Sequence, residues 1–135
     1  MKLILQSQID QLLANGGATS AAQAAGKEPP DHKPVVKLFT PDAGATWLLT
    51  EIDPEDPDIA FGLCDLGLGF PELGSVRLSE IASFRGALKL PVERDRFFEA
   101  AHPISVYARA ASRADTITTD RQALAMAQAL IEAEK

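Results

Sequence analysis

Between Lys37 and Arg77 the chain has no basic residue, yet eight carboxylates stand there: Asp42, Glu51, Asp53, Glu55, Asp56, Asp58, Asp65 and Glu72. The interval carries −8 and the segments on either side about +1 each, so the net −6 sits almost wholly in the middle of the chain. A stretch so one-signed solvates a surface, binds a cation or meets a basic partner. Its densest part is Asp53-Pro54-Glu55-Asp56-Pro57-Asp58. Hard divalent cations take several oxygen ligands, and carboxylates on a turn can converge on one. This hexapeptide lacks the sixth-position glycine and the distant bidentate glutamate of a calcium loop. Its prolines stiffen the backbone and can splay the side chains into water. The pattern fits a solvated turn or a recognition surface better than a metal site.

A second set lies in Phe61-Gly62-Leu63-Cys64-Asp65-Leu66-Gly67-Leu68-Gly69-Phe70-Pro71-Glu72-Leu73-Gly74. Its glycines imply special backbone angles or close backbone approach. Asp65 at a strand end and Glu72 across the loop can face each other, where a pair of carboxylates would hold a metal or share a proton. The more ordinary use of both is to accept hydrogen bonds from loop amides. Gly67-x-Gly69 is no dinucleotide fingerprint, because Glu72 stands at the third glycine's place, and there is no Walker lysine. Cys64 with His32 or His102 would make a thiol–imidazole pair, but a cysteine in an apolar strand is commonly a buried, inert thiol. One cysteine and two histidines also make a zinc site improbable. In Glu93-Arg94-Asp95-Arg96 an arginine is expected to pair internally with the acidic loops rather than to grip a ligand. Trp47 and Phe61 read as core. No catalytic residue, metal ligand or cofactor is assigned.

These residues need elements to hold them. Leu5, Ile9, Leu12 and Leu13 recur at helical spacing, and Asn15-Gly16-Gly17 supplies a stop. Residues 15–34, rich in Ala, Gly and Pro, read as a flexible tether, although 21–25 suits a helical turn. Strands are expected at Val35–Phe39, Thr46–Ile52 and Ile59–Asp65, the first two joined as a hairpin through Pro41–Gly44. The hexapeptide's prolines exclude it from a strand interior. A short strand is expected at Val76–Leu78, a short helix capped by Ser79, and a last strand at Arg94–Phe98. Helices follow at Ser105–Arg113 and, capped by Thr119 or Asp120, through Ile131. The fold class is therefore α+β, with a small, mostly antiparallel sheet in the middle third flanked by N- and C-terminal helices.

At 135 residues, 46% hydrophobic and 24% charged, the chain suits one domain with one core. Runs such as Ile59–Cys64 fall far short of the roughly 20 apolar residues that cross a bilayer. The N-terminus, Met1-Lys2-Leu3-Ile4-Leu5, turns polar at Gln6 without the apolar run of a signal peptide, so a cytoplasmic protein is expected. The negative charge and dispersed Lys and Arg argue against direct nucleic-acid binding.

At Val35-Val36-Lys37-Leu38-Phe39-Thr40-Pro41, Thr46-Trp47-Leu48-Leu49-Thr50-Glu51, Phe61-Gly62-Leu63-Cys64-Asp65-Leu66-Gly67, Pro71-Glu72-Leu73-Gly74 and Glu93-Arg94-Asp95 the chain resembles the bacterial domain-of-unknown-function family DUF2958. The likeness runs from the leading helix to about Ala111, with residues 35–113 as the family core, and leaves out the final helix, Asp120 to Lys135. It implies an accessory protein of plasmids, phages and integrative elements, with no established activity and no catalytic residues to carry over. The composition then points to a non-catalytic module whose carboxylates, Glu51, Asp53, Glu55, Asp56 and Asp58, engage a basic protein such as a nucleic-acid-binding one. Asp65 and Glu72 are expected to order the neighbouring loop of that surface. The alternative is a metal-dependent hydrolase or nuclease in which Asp65, Glu72 and one or more of Asp53, Glu55 and Asp58 bind Mg²⁺ or Mn²⁺.

Overall fold

A computed structural model describes residues 3–135; Met1 and Lys2, which begin the segment read against a signal peptide, lie outside the described residues. In chain order the elements are α1 (Gln6–Ala24), β1 (Val36–Phe39), β2 (Thr46–Asp53), β3 (Asp56–Asp65), β4 (Glu72–Arg77), α2 (Leu78–Ser83), β5 (Glu93–Arg94), α3 (Ile104–Ala114) and α4 (Arg121–Ala133). The strands form one antiparallel sheet in the order β4-β3-β2-β1-β5, so the fold is α+β as the residue pattern requires. No helix among the described residues is long and apolar enough to cross a membrane.

β2 lies in the middle of the sheet and is buried on both faces. Trp47, Leu49 and Ile52 pack with Leu12 of α1 and Ile81 of α2. Leu48 faces the other way, with Leu63 of β3, Tyr107 and Ala110 of α3, and Leu124 and Ala127 of α4. Strict alternation would set Glu51 on the face of Trp47 and Leu49. A register shift between Leu49 and Glu51 prevents this: Leu49 pairs with Gly62 and Glu51 with the next residue, Phe61. Thr50 is the extra residue of the bulge; its hydroxyl donates to Phe61 O at 3.2 Å. The bulge turns Glu51 away from the apolar layer and returns Ile52 to it.

α1 does not stop at Asn15-Gly16-Gly17 but runs on to Ala24, which places 15–24 of the expected tether in a helix. The reason is tertiary. Gly16 lies against β2 so closely that a Cβ there would come within 1.9 Å of Ile52 O. Asn15 Nδ2 donates to Thr50 O at 2.9 Å beside it. The glycine is a contact surface, and packing outweighs its poor helix propensity.

The segment after α1 caps another element. Ile104 N donates to His32 O at 2.8 Å. Ser105 N donates to Asp31 Oδ1 at 3.2 Å and Ser105 Oγ to Asp31 Oδ2. These bonds satisfy the open amides at the start of α3. At the other end of the molecule Asp120 caps α4, accepting from Ala123 N at 2.9 Å. Arg109 of α3 grips Glu134 with two bonds of 2.7 and 2.6 Å, so the last helix packs within its own chain.

Four other expectations are corrected. β3 begins at Asp56, inside the hexapeptide, because Pro54 and Glu55 alone make the turn and Pro57 falls where the β2–β3 register is irregular. β4 covers 72–77 rather than only Val76 onward, and β5 is 93–94 rather than 94–98. Ser79 lies within α2 and does not cap it.

Gly16→Ala is expected to lower the free energy of unfolding by about 1–3 kcal/mol through overpacking. Gly17, with open space around it, should respond oppositely: Gly17→Ala raises stability by about 0.4–1 kcal/mol. Urea unfolding of the two variants checks the contrast, and a stable Gly16→Ala protein would remove this contact as a constraint.

Candidate functional site

A cleft of about 470 Å³ opens where the second half of α1, the extended residues 29–32 and the β2–β3 hairpin meet. The bulge at Thr50 aims Glu51 into it, and Asp53, Glu55 and Asp31 stand around its rim. Phe61 and Ile59 give it an apolar wall. None of the described residues lining it is a lysine or an arginine.

Within the cleft Thr19 Oγ1 donates to Glu51 Oε1 at 3.1 Å, and His32 Nε2 lies 3.1 Å from the same hydroxyl. A threonine hydroxyl has one proton; with that proton on Glu51, His32 must donate through Nε2–H. The chain His32–Thr19–Glu51 thus ties three separate segments together. It leaves Glu51 with one oxygen engaged by the threonine.

The other acidic residues have different employment. Asp53 Oδ1 accepts from Glu55 N at 2.9 Å and shapes the hairpin turn. Asp56 and Asp58 are drawn to Arg77, at 3.7 and 3.6 Å. Asp58 also accepts from Ser79 N at 2.9 Å and from Ser79 Oγ at 2.7 Å. The Ser79 hydroxyl, then its amide, and Arg77 more weakly, hold the Asp58 carboxyl below the usual 3.8. Asp42 Oδ2 accepts from Leu88 N and Leu90 N at 2.7 and 3.2 Å and fastens the loop after α2.

Asp65 is not on the surface: it is only 2% exposed. Its carboxylate accepts from Gly67 N at 2.9 Å, from Thr116 Oγ1 at 3.0 Å and from Ile117 N at 3.0 Å. It orders the glycine-rich loop, as expected, and pins the α3–α4 connection to it. It cannot also meet a partner. Glu72 is exposed at the start of β4, opposite Cys64 in the ladder and so on the other face of the sheet from Asp65. The facing pair imagined for these two carboxylates does not form. Among the described residues no three His, Cys, Asp or Glu side chains converge as metal ligands would.

Cys64 is half-buried, and burial pushes its thiol up to about 11, so it stays protonated at neutral pH. His102 stands edge-on to the Tyr107 ring at 6.3 Å, and His32 is bound to Thr19. Of the Glu93–Arg96 cluster, Asp95 pairs with Lys37 at 3.5 Å, and Arg94 donates to Leu3 O at 2.8 Å. Thr19, Asp31 and His32 carry no signal in the chain that links them to Glu51. Phe61, read as core, is a wall of the cleft.

A small α+β protein with an acid-rimmed cleft is the class these features define. Its residues 3–118 match the model of a family described as protein of unknown function (DUF2958), and the chain belongs to that family. The match ends before α4, the helix that the resemblance also leaves out. No curated protein and no solved structure matches the chain.

Asp65→Ala should destabilise the protein by about 3 kcal/mol, since charged hydrogen bonds contribute about 1.5–3 kcal/mol and the amides left behind are buried. Glu72→Ala should stay within about 0.5 kcal/mol of the parent. Denaturant unfolding separates the two roles. The Asp58 contribution is present above 3.8 and is lost as pH falls through its lowered folded-state value. The difference in melting temperature between the parent and Asp58→Asn should therefore shrink on acidification; a difference that grows in acid contradicts the assignment.

Proposed function

We propose that this protein is a non-catalytic accessory factor of a bacterial mobile element that docks a basic protein partner in the cytoplasm. The resemblance to DUF2958 supports the mobile-element setting. One observation carries the docking: Glu51, Asp53, Glu55 and Asp31 surround a single open cleft, and none of the described residues lining it is a lysine or an arginine. Of the acidic residues singled out in the sequence, Glu51, Asp53 and Glu55 form the contact, with Asp56 and Asp58 at its margin beside Arg77. Asp65 acts inside the fold, and Glu72 lies outside the contact. A lysine or arginine entering the cleft would set its charged head among the carboxylates and its methylene stem along Phe61 and Ile59. An arginine can also take two carboxylate oxygens at once. The surrounding negative field speeds and orients the encounter, which makes association salt-dependent. A nucleic-acid-binding protein offers such a basic surface.

Titration with an oligo-arginine peptide tests this reading. Binding should perturb the amide resonances of Thr19, His32, Glu51 and Phe61 and weaken as salt is added. The triple variant Glu51→Gln, Asp53→Asn, Glu55→Gln should bind about tenfold or more weakly, a loss of 1.4 kcal/mol, while its melting temperature stays near that of the parent. Undiminished binding to the folded triple variant refutes the proposal.

A further inference from the structure

Imidazole is the side chain whose ordinary change of charge falls between pH 5 and 8. Among the described residues lining the acidic cleft, His32 is the only histidine. It is half-buried and held from two directions. Its backbone carbonyl accepts from Ile104 N at 2.8 Å, and the neighbouring Asp31 is bound to Ser105, so α3 fixes the main chain. Its ring nitrogen Nε2 lies 3.1 Å from Thr19 Oγ1, so α1 fixes the ring.

The charged groups around this ring are mostly of one sign. β2 contributes Glu51, reached through the Thr19 hydroxyl, which donates to Oε1 at 3.1 Å. The β2–β3 hairpin contributes Asp53 and Glu55, and the segment of His32 itself contributes Asp31. Lys33 supplies a cation in an adjoining hollow of about 380 Å³, which His32 also lines. The residues of α1 and the start of α3 that line the two spaces are all uncharged.

The hydrogen-bond chain determines where a further proton goes. With the Thr19 proton on Glu51, neutral His32 keeps its single proton on Nε2 and donates it to Thr19, which leaves Nδ1 bare. A second proton therefore enters at Nδ1. Nε2–H still donates, so the chain His32–Thr19–Glu51 survives. The cleft keeps its shape while its charge rises by one.

We infer that protonation of His32 regulates the docking of a basic partner in this cleft, the neutral ring admitting a cationic side chain and the imidazolium repelling it. The inference rests on the docking reading of the cleft and adds its control. The coupling runs both ways: a proton that weakens cation binding is itself expelled by the cation, by the same factor. A basic partner is thus held by the neutral form and released as the imidazole gains its second proton. No rearrangement of the fold is required, because the switch is one of charge alone.

Titration of the full chain with the oligo-arginine peptide at about pH 8 and about pH 5.5, at constant low salt, tests this. The parent should bind about threefold or more weakly at the lower pH. His32→Gln offers Thr19 an N–H without a site for the second proton, so its affinity should vary much less between the two conditions. The carboxylates are common to both proteins and account for whatever pH dependence the variant retains. His102→Gln, which alters the histidine outside the cleft, should follow the parent. In the parent at fixed pH, added peptide should move the His32 ring resonances toward the neutral form, a readout that needs no variant. Equal affinity at both pH values, or an undiminished pH dependence in His32→Gln, overturns the inference and leaves the docking reading standing. Absence of binding at either pH overturns the docking reading, and this inference with it.

Discussion

α1 can lie on β2 only because Gly16 has no side chain at the point where the helix crosses the Ile52 carbonyl. Nearly every other feature depends on that approach. It brings Leu12 onto Leu49 and Ile52, the centre of one apolar layer. It brings Asn15 to the carbonyl of the bulged Thr50, which otherwise lacks a ladder partner. One turn further on it carries Thr19 to Glu51 and raises the wall of the acidic cleft. A helix displaced by even a methyl group would loosen all three, since close-packed interiors transmit such shifts.

The acidic run shows that charge along a chain and charge at a site are different quantities. Eight consecutive carboxylates without a cation suggest a single negative face. Folding divides them. Asp65 and Asp42 turn inward or sideways onto backbone amides, where an anion is held by N–H donors. Asp56 and Asp58 lean toward Arg77. What remains is a smaller group, Glu51, Asp53 and Glu55, joined by Asp31 from a segment that the run does not include. The surviving cluster is more specific than the run, because a cleft with an apolar wall selects a ligand by shape as well as by sign.

The glycine-rich loop depends on the helices through Asp65. Its carboxylate ties the glycine-rich loop to the α3–α4 connection, so the packing of the last two helices and the attitude of the exposed loop are set together. The cleft depends on α3 in a comparable way, because Asp31 and His32 are placed by capping that helix. Loop and cleft are thus both supported by the helical layer behind the sheet.

Much of the fold was legible in the chain. The alternation and turn residues from Val35 to Asp65 located three strands, the glycine-rich stretch located a loop, and Asp120 marked the last helix, because each signal is a local property of backbone and side chain. The likeness to DUF2958 could also be read from the motifs. Tertiary structure alone decided the rest. Asn15-Gly16-Gly17 reads as a stop, yet Gly16 is helical because β2 needs the space. Strict alternation from Trp47 would turn Glu51 onto the apolar layer, yet the bulge reverses it because Ile52 must be buried. Asp65 and Glu72 could have faced each other across the loop, yet strand parity sends them to opposite faces. The meeting of Thr19, His32 and Glu51 is a contact between residues far apart in the chain. No local pattern encodes such a contact; only the packing of helix on sheet creates it.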